Sequence, residues 1–387
     1  MKILKTAAFF LWIQILGVAL MVLPVAAKTF VYVACAEDSE IAVLEMNLGN
    51  GDMKLLGKAK AGKTVMPMAV SPDRRFLYAS IRSVPYSVAS YSINSGTGEL
   101  THLSTVPLPD NMAYISTDKT GRFLLAASYA GHKISVNPIG DKGFVSGDPV
   151  QVMISGINAH SILPDPSNRF VYVPNLASDK VMQLVFDEET GVLTPNKPGA
   201  VYTRHGEGPR HMAFSPNNRF LYLLSELAGT VTVYAMDIQT GVLAEIQSVS
   251  MVPPGANLIQ GKPDVAIGGP QTTPAAPVET RPKIKAADIH ITPDGNFLYA
   301  SERTTSTLAA FSVDSTTGKL TYIKSYETEK QPRGFNIDPR GNFLIAAGQQ
   351  SAQVSVHKIN RATGELQLLK RYPVGKDPNW IEIVDFP

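Results

Sequence analysis

SPDRRFLYAS, Ser71 to Ser80, returns farther along the chain as TPDGNFLYAS, Thr292 to Ser301. Each copy joins a turn rich in Pro, Asp, Asn or Gly to an aromatic-led apolar run, which predicts a buried β-strand after a tight turn. Four further copies are KTGRFLLAAS, DPSNRFVYVP, SPNNRFLYLL and DPRGNFLIAA, and KTFVYVA is a weaker seventh. Their phenylalanines are Phe30, Phe76, Phe123, Phe170, Phe220, Phe297 and Phe343. The intervals of 46, 47, 47, 50, 77 and 46 residues match the length of a four-stranded propeller blade.

A second phrase recurs between these copies. It reads GTGEL, ETGVL, QTGVL, TTGKL and ATGEL, beginning at Gly96, Glu189, Gln239, Thr316 and Ala362. Glycine among polar residues between two alternating apolar runs predicts a hairpin turn, because glycine adopts positive φ without steric cost. Each unit is therefore predicted to consist of strands alone, and the protein to be all-β.

The two ends of the chain carry the two halves of one unit. The C-terminal DPNWIEIV resembles the segment before each turn but has no FLYAS-type run after it, while KTFVYVA has no such segment before it. We therefore predict a seven-bladed β-propeller whose ring is closed by pairing of the N- and C-terminal strands, which removes exposed sheet edges. The alternatives are an open solenoid or a sandwich of the same strands, but a sandwich has no reason to keep the period, and the split unit favours closure of the ring.

The first 27 residues resemble an export signal. Lys2 and Lys5 precede an apolar run, and small residues at 25–27 suit a signal-peptidase site. We predict a signal peptide over residues 1–27, a propeller over residues 28–387, and a periplasmic or secreted location. The apolar run from Ala7 to Leu23 is long for a signal, so an uncleaved membrane anchor is the alternative.

Charge and cysteine content exclude several kinds of function. Without Lys2 and Lys5 the chain has 33 basic and 33 acidic side chains, so a general nucleic-acid or anionic-membrane binder is not expected. The single cysteine, Cys35, forms no intramolecular disulfide, and without cysteine clusters no thiolate metal site is expected. Its strand context predicts a buried, unreactive residue.

The one long interval contains an insert of about thirty residues, 253–282, rich in proline and glycine. That composition does not pair as strands and predicts a long loop between two blades. The loop is either a passive linker or a flap over the mouth of the channel.

Charged residues cluster where the innermost strand of each blade is expected. INAHSIL, GPRHMAF, AADIHIT and QPRGFNI supply His160, Arg210, His211, Asp288, His290 and Arg333, and the loops after two FLYAS-type runs supply Glu226 and Arg303. Arg210, Arg333 and His160 share one strand parity, while His211, Asp288 and His290 share the other, unless bulges intervene. Each alone could be a satisfied channel residue, but together they predict a site for an anionic or oxygen-rich small molecule.

The sequence contains no glycine-rich phosphate loop and no HExxH, GxSxG or CxxC motif. With no metal or cofactor implied, hydrolysis of an ester by water and a carboxylate or imidazole base is the simplest chemistry for these side chains.

GPRHMAFSP, AADIHITPDGNFLYASERT and QPRGFNIDPRGNFLIAAGQ closely resemble the propeller-type 6-phosphogluconolactonases of bacteria, which are related to fungal carboxymuconate-lactonising enzymes. The resemblance covers nearly all of residues 28–385. It implies a seven-bladed ring and a metal-independent hydrolase of 6-phospho-glucono-1,5-lactone. It also implies catalytic roles for His160, Arg210 and Glu226, with Arg303 or Arg333 as a further arginine. The export signal and the proline-rich insert depart from the bacterial pattern and leave the substrate open.

We therefore expect a monomeric lactonase that opens a sugar 1,5-lactone, either the 6-phosphate or, because of export, an unphosphorylated aldonolactone. Glu226 or His160 would act as general base and Arg210 would stabilise the oxyanion. The expected substrate-binding residues are His211, Asp288, His290, Arg303 and Arg333. The alternative is a non-catalytic propeller that binds a ligand or a protein in the cell envelope.

Overall fold

The FLYAS-type runs form the second strand of each of seven four-stranded sheets in a computed structural model of the protein, which describes residues 27–263 and 279–386. In Phe220–Ser225, as in most of these runs, all six residues are buried. A strand buried on both faces needs a continuous apolar run rather than an alternating one, which is why these runs are uniformly apolar. The strands therefore lie between neighbouring sheets.

The described residues contain 28 strands and one short 3₁₀ helix, Leu176–Ser178. In the first half of the chain they are β1 (Lys28–Cys35), β2 (Glu40–Met46), β3 (Met53–Lys60), β4 (Val65–Val70), β5 (Phe76–Ile81), β6 (Ser87–Ile93), β7 (Leu100–Pro107), β8 (Met112–Thr117), β9 (Phe123–Ser128), β10 (Lys133–Pro138), β11 (Gln151–Ile154), β12 (Leu163–Pro164), β13 (Phe170–Asn175), β14 (Lys180–Phe186) and β15 (Leu193–Tyr202).

In the second half they are β16 (Pro209–Phe214), β17 (Phe220–Ser225), β18 (Thr230–Met236), β19 (Leu243–Ser250), β20 (Ala286–Ile291), β21 (Phe297–Glu302), β22 (Thr307–Val313), β23 (Leu320–Glu327), β24 (Pro332–Ile337), β25 (Phe343–Gly348), β26 (Gln353–Ile359), β27 (Leu366–Pro373) and β28 (Pro378–Phe386).

Six sheets are built from four consecutive strands, and the seventh joins the two ends of the chain in the order β28-β1-β2-β3. The C-terminal strand β28 pairs antiparallel with β1, with Phe30 opposite Val384 and Tyr32 opposite Glu382. The predicted seven-bladed ring and its closure by the termini are therefore confirmed. β28 is the innermost strand of its blade, so the end of the chain lines the channel.

The core of the described chain consists of seven apolar clusters, and each cluster draws its residues from two neighbouring blades. Cys35 belongs to the cluster between the last and first blades and is fully buried, as predicted. Burial raises the pKa of its thiol to about 12, so the thiol stays protonated at neutral pH.

The glycine that follows threonine in each GTGEL-type phrase packs against the phenylalanine of a FLYAS-type run, which explains why the two phrases repeat together. Gly98 has φ of +73°, and a Cβ there would lie 2.4 Å from the ring of Phe30 in the preceding blade. The turn therefore needs glycine both for its backbone angle and for its close approach to the ring. Corresponding glycine–phenylalanine contacts run right around the ring: Gly143 with Phe76, Gly191 with Phe123, Gly241 with Phe170, Gly318 with Phe220, Gly364 with Phe297, and Gly51 with Phe343.

The innermost strands start with a bulge in six blades, and that of the remaining blade is much shorter than its sequence predicts. Register shifts occur between Pro209 and His211 in β16, and at the same place in β4, β8, β20, β24 and β28. In the INAHSIL segment only Leu163–Pro164 pairs as a strand. Upstream, the carbonyl of Pro174 accepts a bond from the backbone N–H of His160. Proline has no N–H to return, so the ladder is interrupted there and resumes only as a single bridge between Ala159 and Asn175.

The predicted signal lies almost wholly outside the described residues, as do residues 264–278 of the insert. The described parts of the insert form no strand. Within the described residues, no helix is long and apolar enough to cross a membrane.

Candidate active site at one mouth of the channel

Glu226 is held by two arginines where the second strand of its blade ends beside the start of β16. Its Oε2 accepts a hydrogen bond of 2.8 Å from Nε of Arg210, and its Oε1 accepts one of 2.5 Å from Arg303. Burial alone would raise the pKa of this carboxyl, but the charges of Arg303 and Arg210 outweigh it and the net pKa is lowered. Glu226 is therefore a fixed carboxylate at neutral pH.

Arg210 is buried and bonded to two protein groups. Besides its bond to Glu226, its Nη1 donates to the carbonyl oxygen of Ala287, and the residue is 1% exposed. Burial lowers the pKa of Arg210 to about 10, so it remains charged at neutral pH. With its hydrogen bonds directed at the protein, Arg210 positions Glu226 rather than facing the open channel.

His160 lies beside the same carboxylate. Its Nε2 is 3.8 Å from Glu226 Oε2, its Nδ1 has no hydrogen-bond partner, and its ring makes edge contacts with Tyr129 and His211. Burial, and then the charge of Arg210, lower the pKa of His160 well below its usual range. The imidazole is therefore neutral at neutral pH and has a free lone pair that can accept a proton.

Arg333 is the cation of this group that lacks a protein partner. It makes no hydrogen bond or ion pair with any described residue, although its charge lowers the pKa of both Glu226 and His160. Burial and the charges of Arg210, Arg303 and Arg82 lower the pKa of Arg333 itself. Three guanidinium groups thus act on one carboxylate, and an unpaired cation in that setting favours an anion or a developing negative charge.

The described ends of the insert lie over this site. A cavity of about 160 Å³ is lined by Glu226, Arg303 and Tyr129 from the ring, and by Lys262 and Lys283 from the two ends of the insert. Gly261 N bonds to the carbonyl of Leu227, next to Glu226. The insert is therefore anchored at the channel mouth, on the side of the ring that holds the arginines.

The other three predicted residues form a second group, deeper in the channel. His211 Nδ1 lies 2.8 Å from Asp288 Oδ1, and His290 Nε2 lies 3.3 Å from Asp288 Oδ2. Burial would raise the pKa of Asp288, but the two histidines outweigh it and keep the carboxyl ionised. Burial lowers the pKa of His211 to about 3, whereas the charge of Asp288 raises that of His290.

Comparisons with known proteins agree with this arrangement. The family described as lactonase, 7-bladed beta-propeller, matches residues 30–383. The chain belongs to this family.

Individual relatives support the assignment. The chain is 40% identical over 307 residues to a 6-phosphogluconolactonase of Pectobacterium carotovorum, covering 79% of this chain and 84% of the relative. It is 40% identical to the enzyme of the same name from Serratia proteamaculans, with coverage of 80% and 85%. A solved structure of the periplasmic gluconolactonase of Pseudomonas aeruginosa has a TM-score of 0.80 at 27% identity, with coverage of 93% and 99%. As a member of this lactonase family, the protein is a lactone hydrolase.

The structure of this lactonase separates the predicted residues into two layers. His160, Arg210, Glu226, Arg303 and Arg333 meet at one mouth, and His211, Asp288 and His290 lie farther along the channel. The bulge after Pro209 explains why the neighbours Arg210 and His211, of opposite parity, both contribute to the channel. Within residues 27–263 and 279–386, no group of three His, Cys, Asp or Glu side chains is placed to hold a metal ion.

Sequence analysis missed Arg82, Tyr129 and Glu382. The position six residues after the phenylalanine of each FLYAS-type run holds Arg82, Tyr129, Glu226 and Arg303 in four blades, so the repeat itself could have identified the first two. Glu382 pairs with Tyr32 just as His290 pairs with Tyr299. Sequence does not reveal this equivalence, because the last strand of the chain has no following turn proline by which its positions can be aligned with those of the other blades.

Proposed function

We propose that the protein hydrolyses a sugar 1,5-lactone at the Glu226 site, and that an unphosphorylated aldonolactone such as glucono-1,5-lactone is opened at least as well as its 6-phosphate. The observation that carries the proposal is a fixed carboxylate beside a neutral histidine and an unpaired arginine, all at one mouth of the channel. These are the groups needed to activate water and to stabilise the charge that forms on a carbonyl oxygen.

The proposed reaction uses His160 as the base and Arg333 as the oxyanion donor. His160 takes a proton from water while the water oxygen forms a bond to C1 of the lactone, and the carbonyl electrons move onto the oxygen facing Arg333. Glu226, 3.8 Å away, stabilises the imidazolium. Collapse of the intermediate breaks the bond from C1 to the ring oxygen, which takes the proton from His160 and becomes a hydroxyl group. The product is an open-chain aldonic acid, which ionises.

The role of Arg210 in this proposal differs from the one expected from sequence. Its hydrogen bonds to Glu226 and Ala287 occupy it, so it acts by positioning the carboxylate, and Arg333 takes the oxyanion. Arg303 also contacts Glu226, and its partly exposed guanidinium lines the cavity at the mouth, where it can contact the sugar hydroxyls.

The proposal of an unphosphorylated substrate rests on the predicted export of the protein. The 6-phosphogluconolactonase relatives favour a phosphorylated lactone, whereas the predicted signal peptide and the name of the Pseudomonas aeruginosa relative, a periplasmic gluconolactonase, favour an unphosphorylated one. We infer export to the periplasm or the medium with cleavage after residue 27. The mass of the exported protein tests this, since a chain that retains residues 1–27 would support the membrane anchor instead.

Hydrolysis should be followed by proton release at constant pH, with the spontaneous rate subtracted, for both lactones. Glu226→Gln, His160→Gln and Arg333→Gln should each lower kcat/KM roughly a hundredfold, the size expected for loss of a base or an oxyanion donor. The melting temperatures of His160→Gln and Arg333→Gln should stay close to that of the unchanged protein, whereas Glu226→Gln should lower it, because it leaves the buried Arg210 without its charged partner. Arg210→Ala should lower both activity and stability, because it leaves a buried carboxylate with one partner fewer.

Arg361→Gln is the matched control, since Arg361 lies on an outer turn with its side chain 57% exposed. It should leave both rates unchanged. Hydrolysis of neither lactone above the spontaneous rate would favour the alternative, a binding propeller of the cell envelope. A strong preference for the 6-phosphate would leave the lactonase in place and refute the proposed substrate.

A further inference from the structure

The central channel continues beyond the Glu226 site into a separate cavity of about 390 Å³, to which all seven innermost strands contribute. None of His160, Arg210, Glu226, Arg303 or Arg333 lines it. Its volume falls in the range of about 300–1,000 Å³ that is usual for small-molecule sites. The lactonase reaction proposed above makes no use of this space.

The wall of this cavity presents polar groups that have no protein partner. The hydroxyl of Tyr114 and Nδ1 of His290 make no hydrogen bond with any described residue, and the side chain of His290 is 32% exposed. Glu382 uses Oε1 to accept a bond of 2.9 Å from the indole N–H of Trp380, and its other oxygen has no partner in the described chain. A hydroxyl, an imidazole nitrogen and a carboxyl oxygen together offer both donors and acceptors.

An aromatic surface lies beside these polar groups. Trp380 is held by its bond to Glu382 and by edge contacts with Tyr114 and His211, with ring centroids 5.3 Å and 6.0 Å apart. The indole is only partly buried, so part of it faces the cavity. Rings fixed in this way give an apolar surface with little loss of conformational entropy on binding.

The fixed charges of the cavity are offset by opposite charges. The carboxylate of Asp288 is shared by His211 and His290, and it also accepts bonds from the backbone N–H groups of Ile289 and Phe335. Lys119, which also lines the cavity, makes no ion pair with any described residue, but its charge is offset by Asp165 and Asp118. This contrasts with the mouth of the channel, where three guanidinium groups face one carboxylate. A ligand with no net charge therefore suits the cavity better than a phosphate or carboxylate does.

We propose that this channel cavity is a second binding site, for an uncharged polyhydroxylated ring such as a hexopyranose. Trp380 packs against the apolar side of the ring, and Tyr114, His290 and Glu382 bond to its hydroxyl groups. The site is distinct from the Glu226 site and does not depend on the substrate proposed for it.

Trp380 makes the proposal directly testable. The sequence contains two tryptophans, Trp12 and Trp380, so in the full chain carrying Trp12→Phe the emission comes from Trp380 alone. Titration with methyl β-D-glucopyranoside, which no lactonase opens, should change this emission in a saturable way. Glucose 6-phosphate should bind no more tightly, because the charge of Lys119, the one lining cation without an ion pair in the described chain, is already offset by Asp165 and Asp118.

Variants of two cavity residues test whether the glucoside binds in the cavity. Tyr114→Phe and Glu382→Gln should each weaken binding about two- to tenfold, the effect of losing one hydrogen bond. Tyr202→Phe is the matched control, because Tyr202 is 72% exposed on an outer strand, and it should not change the affinity. Having two conservative variants keeps the test valid if one of them folds poorly.

Three outcomes would overturn the proposal: no saturable change with the glucoside, equal affinity in both cavity variants, or loss of the signal in Arg333→Gln, which would place the ligand among the arginines. A saturable titration in a protein without lactonase activity would refute only the proposed reaction. An active lactonase without the titration would refute only the second site.

Discussion

Glu382 lies on β28 with its carboxyl bonded to the indole of Trp380 and the charge of Asp288 nearby. Burial, with a smaller contribution from Asp288, raises its pKa from 4.5 to about 7. In the unfolded chain the same carboxyl loses its proton near pH 4.5, so the folded protein holds a proton that the unfolded chain has released. The folded state therefore loses stability as the pH rises from about 4.5 to 7.

Glu382→Gln removes this loss, because glutamine keeps the acceptor for Trp380 and does not ionise. The variant should match the unchanged protein at pH 4 and become more stable as the pH rises, by roughly 2–3 kcal/mol above pH 7. Urea unfolding followed by fluorescence across this pH range measures the difference. Glu99→Gln, in an exposed turn, serves as the control, and a difference for Glu382→Gln that does not vary with pH would contradict the assigned cause.

At the scale of single residues, the sequence identified which side chains reach the channel better than it identified their roles. His160, Arg210 and Glu226, for which the family resemblance implies catalytic roles, lie together at one mouth of the channel. That Arg210 is buried and bonded to two protein groups while Arg333 is unpaired depends on contacts between blades, such as the bond from Arg210 to Ala287. Arg210 and Ala287 are 77 positions apart, so their contact results from the packing of two blades and no local motif predicts it.

At the scale of elements, the turn glycines join neighbouring blades. In the β6–β7 turn, Gly98 packs on the ring of Phe30, and its carbonyl accepts a 3.0 Å bond from the hydroxyl of Tyr32. One turn thus contacts two side chains of the preceding blade. The period of the sequence repeat reflects this contact, because each blade must supply both the aromatic run and the turn that covers it.

Gly98→Ala should destabilise the protein by about 1–3 kcal/mol, since it combines a positive φ with a Cβ placed inside van der Waals contact of Phe30. Gly96→Ala in the same turn is the matched control, because the nearest atom to its Cβ would be 3.4 Å away and its φ is not positive. Thermal unfolding of both variants checks the prediction. Equal melting temperatures of Gly98→Ala and Gly96→Ala would show that the close approach of residue 98 to the Phe30 ring does not constrain the turn.

The element that sequence predicted least well is the innermost strand of the fourth blade. INAHSIL has an apolar pattern suited to a strand. The proline of β13 is visible in FVYVPN, but its effect on the pairing of INAHSIL depends on which residue lies opposite it. His160 faces Pro174, so this segment stays irregular and carries the histidine of the site. Register between strands, which local sequence does not specify, decides this outcome.

At the scale of the whole molecule, the ring depends on β28. This strand covers the edge of β1, and it supplies Ile381 and Val384 to the apolar clusters on the two sides of its blade. It also supplies Trp380 and Glu382 to the channel. Closure of the ring was predictable because the split unit at the two ends of the sequence can be completed in only one way, by joining them.

Deleting residues 377–387 should abolish cooperative folding, because it exposes the edge of β1 and removes apolar residues from two interfaces at once. Soluble yield and a circular-dichroism melt measure the effect. Moving residues 377–386 to a position just before Lys28, joined through a short Asn-Gly turn, should restore folding, since Phe386 already pairs with Lys28. A truncated chain that melts like the full one would rule out closure by the termini. A relocated strand that fails to rescue folding would mean that the linkage of β28 to β27, and not its pairing with β1, holds the ring together.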